Sequence, residues 1–155
     1  MKHLDGEISN GKHRQQVRVY YEDTDFSGIV YHASYLRFME RGRTNYLRLL
    51  GASHRAMFET GEPQTQGSFV VRHMSIDFSK AGYMDDVLDI VTTPEEVKGA
   101  SAILNQKVMR GVELLVEAHV QFAFVSGGRA RPLPDVLRAA MKADQESGQE
   151  SGGAA

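Results

Sequence analysis

The chain has 155 residues, of which 41% are hydrophobic and 25% charged, with a formal net charge of -2 and no cysteine. That size suits one domain with its own core. The missing cysteines exclude disulfides, thiolate metal ligands and a cysteine nucleophile. The near-neutral charge argues against a dedicated nucleic-acid binder. No run approaches the roughly 20 apolar residues that span a bilayer. The N-terminal segment MKHLDGEISNGKHRQQ lacks the apolar centre of a signal peptide, so a cytoplasmic location is expected.

Residues 1–14 read as a flexible arm. In QQVRVYY (15–21), Val17, Val19 and Tyr21 alternate, which predicts a strand. From Ala33 to Leu50 the period changes to that of a helix. Tyr35, Leu36, Met39, Tyr46, Leu47 and Leu50 share a face, and Gly51 supplies a stop. Gly42 in mid-helix costs up to roughly 1 kcal/mol against alanine, which points to close packing on another element. Residues 52–67 read as a loop with a short helix, broken by GEPQTQGS.

Four long strands are predicted next, over 68–80, 86–97, 101–110 and 112–126. Their short joints predict antiparallel hairpins between neighbours. PDVLRAAMKA (134–143) reads as a short helix with Pro134 at its start. The last residues, 144–155, are low in complexity and read as a disordered tail. One domain therefore spans 15–143. Its order of strand, long helix, four strands and short helix is an α+β architecture, with the sheet wrapped around the helix at 33–50. An open sheet edge invites pairing with a second subunit.

The chemistry concentrates in YYEDTDFSGIVYHASY (20–35). Asp23, Asp25, Ser27 and Gly28 match the first half of a calcium loop, but Ser34 stands where the closing glutamate belongs, and a strand precedes it. Zinc sites draw on histidine or cysteine sets, which Asp23, Asp25 and His32 do not supply, so no metal site is assigned. Ser27, His32 and Asp25 are the residue types of a serine triad, yet no G-x-S-x-G elbow occurs. Two readings remain open. Asp and Ser before a helix are ordinary capping and turn residues. Equally, Asp25 lies just before a helix whose first N–H groups lack internal partners and carry positive potential. Such a place keeps a carboxylate ionised and can hold an oxyanion. An ionised carboxylate can attack an acyl carbon or activate water. A thioester needs little more, because its thiol leaving group has a pKa of roughly 8.5.

VRVYYEDTDFSGIVYHASYLRFMERGRTNYLRLLG (17–51) closely resembles the YbgC-type acyl-CoA thioesterases. These are associated with the Tol–Pal cell-envelope system and related to 4-hydroxybenzoyl-CoA thioesterase. The similarity continues through FVVRHMSIDFSKAGYMDDVLDI (69–90) to RPLP (131–134). The resemblance implies a hotdog fold, in which a curved antiparallel sheet wraps one long helix. It implies dimers, often paired into tetramers, with active sites at subunit interfaces. It puts the catalytic carboxylate on Asp25, as nucleophile or general base. It assigns the carbonyl-polarising N–H to His32, with a Tyr31-His32 pair at the helix entry.

Asp23 is then a turn residue, and Tyr20 and Tyr21 pack or line a pocket. Glu40 is a partner for Arg37, Arg41 or Arg43, with catalysis as its alternative. His73 and His119 are half-buried strand residues. The phosphates of coenzyme A want cations. Lys98, next to Ser101, is the first candidate, followed by Arg72, Arg110, Arg129 and Arg131. Phe58, Phe69 and Met74 are candidates for the acyl pocket. The implied activity is acyl-CoA hydrolysis to a carboxylic acid and free coenzyme A, with no separate cofactor. The alternative is a non-catalytic scaffold binding acyl carrier protein or envelope-biogenesis partners.

Overall fold

The computed structural model describes residues 4–60 and 66–153. Seven strands are present: β1 (Glu7–Ser9), β2 (Lys12–Arg18), β3 (Ser68–Phe78), β4 (Val87–Val97), β5 (Ser101–Arg110), β6 (Glu113–Ser126) and β7 (Arg129–Ala130). The helices are α1 (His32–Leu49), α2 (His54–Thr60) and α3 (Asp135–Gly153). The strands form one antiparallel sheet in the order β1-β2-β4-β5-β6-β3, and β7 pairs with β6.

Alternation turns one face of this sheet toward α1. On β5, Ala102, Leu104, Gln106 and Val108 are buried, every second residue, as the two-residue period of a pleated strand demands. α1 answers with Tyr35, Phe38, Met39, Gly42, Tyr46 and Leu47, a stripe at helical spacing. Its first half packs with Val19, Leu88, Ile90 and Val108. Its second half packs with Leu104, Phe122, Phe124, Leu133 and Met141.

At the crossing of helix and sheet stands Gly42. A Cβ there would lie 3.0 Å from Ile90 Cγ2, 3.2 Å from Thr92 Oγ1 and 3.3 Å from Gln106 Nε2. The mid-helix glycine thus has the packing reason that its sequence position suggested. Gln106 is fully buried, and its Nε2 donates to the Met39 carbonyl at 2.9 Å and to Thr92 Oγ1 at 2.8 Å. Arg43 Nη1 donates to Gln106 Oε1 at 3.0 Å. Burial of these polar groups is tolerable because each finds a partner.

Three expectations need correction. Strands form within the arm: β1 and β2 begin at Glu7 and Lys12, and the strand read at 15–21 lies earlier, with Tyr21–Asp23 forming a 3-10 turn. The tail is helical to Gly153. Tyr46 Oη donates to Asp144 Oδ2 at 2.8 Å, and Gln145 Nε2 donates to the Glu95 carbonyl at 2.8 Å. Composition alone hides such docking, because it is polar and long-range. The hairpin expected between 68–80 and 86–97 does not form. β3 pairs with β6 at the far edge, while β4 sits between β2 and β5. The joint at 79–86 instead crosses the end of the sheet, anchored by the Ser79 N–H on the Leu115 carbonyl at 2.8 Å and the Val19 N–H on the Asp86 carbonyl at 2.9 Å. The hairpins β4–β5 and β5–β6 form as expected. Of the breaker GEPQTQGS, residues 61–65 lie outside the described residues.

Candidate active site

The turn before α1 is held by Asp23. Its Oδ2 accepts the Tyr20 N–H at 2.9 Å. Its carbonyl accepts the Tyr31 N–H at 2.9 Å and the Ser34 hydroxyl at 3.0 Å. Both its carboxylate and its carbonyl are thus engaged in chain geometry. Beyond it the chain doubles back. The Asp25 N–H donates to the Ile29 carbonyl at 2.8 Å, and the Gly28 N–H donates to the Asp25 carbonyl at 3.1 Å. Gly28 has φ +83 and open space around it, so backbone conformation, not crowding, selects glycine there.

This hairpin presents Asp25 to solvent. Ser27 binds the same carboxylate oxygen twice: its hydroxyl donates to Asp25 Oδ1 at 2.6 Å and its N–H at 2.8 Å. The Ser27 hydroxyl is the main reason the Asp25 carboxyl titrates below its ordinary value. Partial desolvation opposes that shift, and backbone N–H groups add to it. Asp25 is therefore a carboxylate throughout the neutral range. The sequence pointed to the helix potential for this effect and to Ser27 as a calcium-loop, triad or turn residue, without pairing its hydroxyl to Asp25. The Asp-x-Ser spacing was the available signal.

Asp25 shares a crevice of about 320 Å³ with Ile29, His32, Tyr35, Phe78 and Lys80. His32 opens α1, and its N–H has no acceptor among the described residues, as the first turn of a helix allows. The His32 ring lies 4.5 Å from the Tyr31 ring and 6.2 Å from Phe78, edge to face with the latter. Tyr35 accepts the Gly82 N–H at 2.9 Å, and burial raises the pKa of its phenol. Lys80, which the sequence did not single out, is 3.3 Å from Glu113 Oε2. The arrangement can ionise a carboxylate, offer an N–H at a helix entry and flank both with aromatic rings.

The other candidates lie elsewhere. Lys98 and Ser101 sit at the far end of β4 and β5, roughly 30 Å along the strand from the Asp25 turn at about 3.3 Å per residue. Arg129 and Arg131 join them there: the Leu133 N–H donates to the Gly99 carbonyl at 2.8 Å and the Arg131 N–H to the Phe124 carbonyl at 2.8 Å. One chain therefore does not bring these cations to Asp25. Arg110 is committed to the 79–86 crossing, with Nη1 on Asp86 Oδ2 at 2.9 Å and on the Ala81 carbonyl at 3.1 Å. Arg72 is exposed at a bulge on β3. His73 is exposed, and His119 Nδ1 is 2.7 Å from Glu95 Oε1. Glu40 accepts the Thr44 hydroxyl at 2.8 Å, and no ion pair joins it to Arg37, Arg41 or Arg43 among the described residues.

A larger cavity of about 410 Å³ lies toward the other end of α1, between Glu40, Arg43, Leu47, Met57, Phe69 and Phe122. It contains none of Asp25, Tyr31 and His32. Phe69 lines it, whereas Met74 packs against the core and Phe58 is exposed. Among the described residues no group of three or more His, Asp or Glu is placed to hold a metal ion, and no helix is long and apolar enough to cross a membrane.

A long helix laid in an antiparallel sheet is the hotdog architecture of thioesterases. The family described as the Thioesterase-like superfamily matches residues 19–141. The acyl-CoA thioesterase YbgC of Haemophilus influenzae is 44% identical over 126 residues, covering 80% of this chain and 90% of that relative. The acyl-CoA thioester hydrolase YbgC of Escherichia coli O6:H1 is 38% identical over 132 residues, covering 83% and 95%. A crystal structure of a probable thioesterase from Bartonella henselae superposes with a TM-score of 0.74 at 42% identity, covering 79% of this chain and 99% of that one. The chain belongs to the thioesterase-like superfamily and, within it, to the YbgC-type acyl-CoA thioesterases.

Proposed function

We propose that the protein hydrolyses acyl-CoA thioesters, with Asp25 as the acting carboxylate and the His32 N–H as oxyanion donor. The observation that carries this reading is the shared crevice: an ionised, solvent-facing Asp25 beside an unengaged helix N-terminus. The His32 N–H supplies a dipole where the carbonyl oxygen gains charge. Asp25 either attacks the carbonyl carbon or takes a proton from the water that does. In both routes the thioester C–S bond breaks, coenzyme A leaves as a thiol, and one water is consumed. Coenzyme A enters as part of the substrate and no separate cofactor is needed.

The same reading makes the active unit a homodimer. β3 pairs with β6 alone, so its other edge is unpaired among the described residues, and Val70, Val71 and Phe78 are exposed along it. An open edge of this kind invites a second copy. β3 runs from the Lys98 end of the sheet at Ser68 to the Asp25 end at Phe78. Antiparallel pairing of two such edges brings the Lys98 end of one copy beside Asp25 of the other. That would unite the cations at Lys98, Arg129 and Arg131 with the carboxylate they miss within one chain, and phosphate groups favour such cations.

The test is hydrolysis of a panel of short, long and aromatic acyl-CoAs by wild type and Asp25→Asn. Loss of nearly all activity in the variant, with the fold intact, supports the reading. A variant as active as wild type overturns it. A wild type inactive on the whole panel favours the scaffold that binds acyl carrier protein or envelope partners.

A further inference from the structure

We propose that Ser27 is a positioning residue for Asp25, holding Oδ1 so that Oδ2 is the oxygen that works. The inference rests on the catalytic reading of Asp25 and goes beyond it by assigning the carboxylate's two oxygens different tasks. Both Ser27 contacts fall on one atom, the hydroxyl at 2.6 Å and the N–H at 2.8 Å. The two short hydrogen bonds both fall on Oδ1, and the remaining N–H groups near the carboxylate, those of Ile29 and Asp25, contribute less than the Ser27 hydroxyl. A carboxylate on an exposed hairpin would otherwise rotate about its last torsion, which is broad for aspartate. Two short bonds to a charged acceptor restrain that rotation, and bonds of this type are about twice as strong as neutral ones.

The restraint has two consequences. The plane of the carboxylate is fixed before substrate arrives, which is the positioning that makes a bimolecular step behave as an intramolecular one. The bonded oxygen also stabilises the ionised form, which lowers the Asp25 pKa below that of an ordinary aspartate. Ser27 itself needs no contact with substrate. Its hydroxyl is spent on Asp25, and its side chain sits on the exposed tip of the turn.

The experiment compares wild type, Ser27→Ala, Ser27→Thr and Asp25→Asn by pH profiles of kcat and kcat/KM. Ser27→Ala removes the hydroxyl bond and keeps the N–H. On the plateau kcat is expected to fall about tenfold with KM little changed, as loss of one hydrogen bond to a charged group predicts. The acid limb is expected to move to higher pH. Ser27→Thr restores a hydroxyl and is expected to restore the limb. Carbon-13 NMR titration of the Asp25 carboxyl, assigned by its absence in Asp25→Asn, reads the same shift without catalysis. If Asp25→Asn is inactive while Ser27→Ala keeps the wild-type kcat, acid limb and carboxyl titration, the role given to Ser27 is wrong and that of Asp25 stands. If Asp25→Asn is fully active, the catalytic reading itself falls.

Discussion

Tyr46 on α1 donates its hydroxyl to Asp144 on α3 at 2.8 Å, across 98 residues of sequence. The ring is fully buried among Leu104, Phe122 and Met141. Burial, reinforced by the adjacent carboxylate, raises the phenol pKa so far that it stays protonated as a donor. Tyr46→Phe leaves Asp144 without this donor. A loss of about 1 to 3 kcal/mol is expected, read from urea unfolding midpoints. Truncation after Ala143 removes the same bond together with Gln145 on the Glu95 carbonyl, and the shortened chain should melt below wild type.

Gly42→Ala separates two opposing effects. Alanine gains about 1 kcal/mol of helix propensity over glycine. Its methyl would press on Ile90, Thr92 and Gln106, all fully buried, and Gln106 is held by three hydrogen bonds. Overpacking of such a site costs about 1 to 3 kcal/mol. The net outcome is destabilisation, measured by the same unfolding midpoints. A more stable Gly42→Ala would show that the sheet yields here.

His13 predicts the acid behaviour of the fold. It is fully buried, Nε2 donates to the Asp5 carbonyl at 2.7 Å, and Nδ1 has no partner among the described residues. Burial lowers its pKa, against the weaker pull of Asp5. The unfolded chain therefore binds a proton near pH 6.5 that the native state refuses. The stability it contributes is fully present above that pH and is lost as pH falls toward the lowered native value. Urea midpoints at pH 7.5 and 5 should differ in wild type, and the gap should narrow in His13→Gln.

Asp25 responds to acid in a separate range. Its pKa is depressed, so its ionised form outlasts an ordinary aspartate as pH falls. Activity lost near pH 5 should then track unfolding through His13, with kcat per folded molecule unchanged. Circular dichroism recorded beside initial rates distinguishes the two.

The dimer reading predicts complementation. Asp25→Asn and Lys98→Ala damage different copies of a site built across β3. Each alone should be weak. Mixed dimers contain one site with neither change, so remixing should recover about a quarter of wild-type activity under random exchange. No recovery on verified exchange would place Lys98 outside the site. Val71→Lys, on the exposed edge, should shift the mass in solution toward monomer and lower the rate with it.

Local rules determined much of this protein. Strand-like segments between short joints marked β3, β4, β5 and β6, and helical spacing marked α1, where burial on one face leaves a period in the chain. Gly42 signalled close packing through its propensity penalty, and the 20–35 segment showed a turn entering a helix. Short joints also located two true hairpins, at Lys98 and Gly111.

Tertiary structure decided what depends on distant partners. β3 and β4 are joined by a short link yet lie on different sides of β5 and β6, because strand order is set by which faces bury together over α1, and a joint that crosses the sheet end looks like one that turns back. The polar C-terminal segment is a helix because Tyr46, Glu95 and Gly11 receive it; a Cβ at Gly11 would strike the Asp144 carbonyl. Ser27's hold on Asp25 and the separation of Lys98 from it are three-dimensional facts as well. Periodicity records the solvent on each face of an element, and it carries no record of which element lies on the other side.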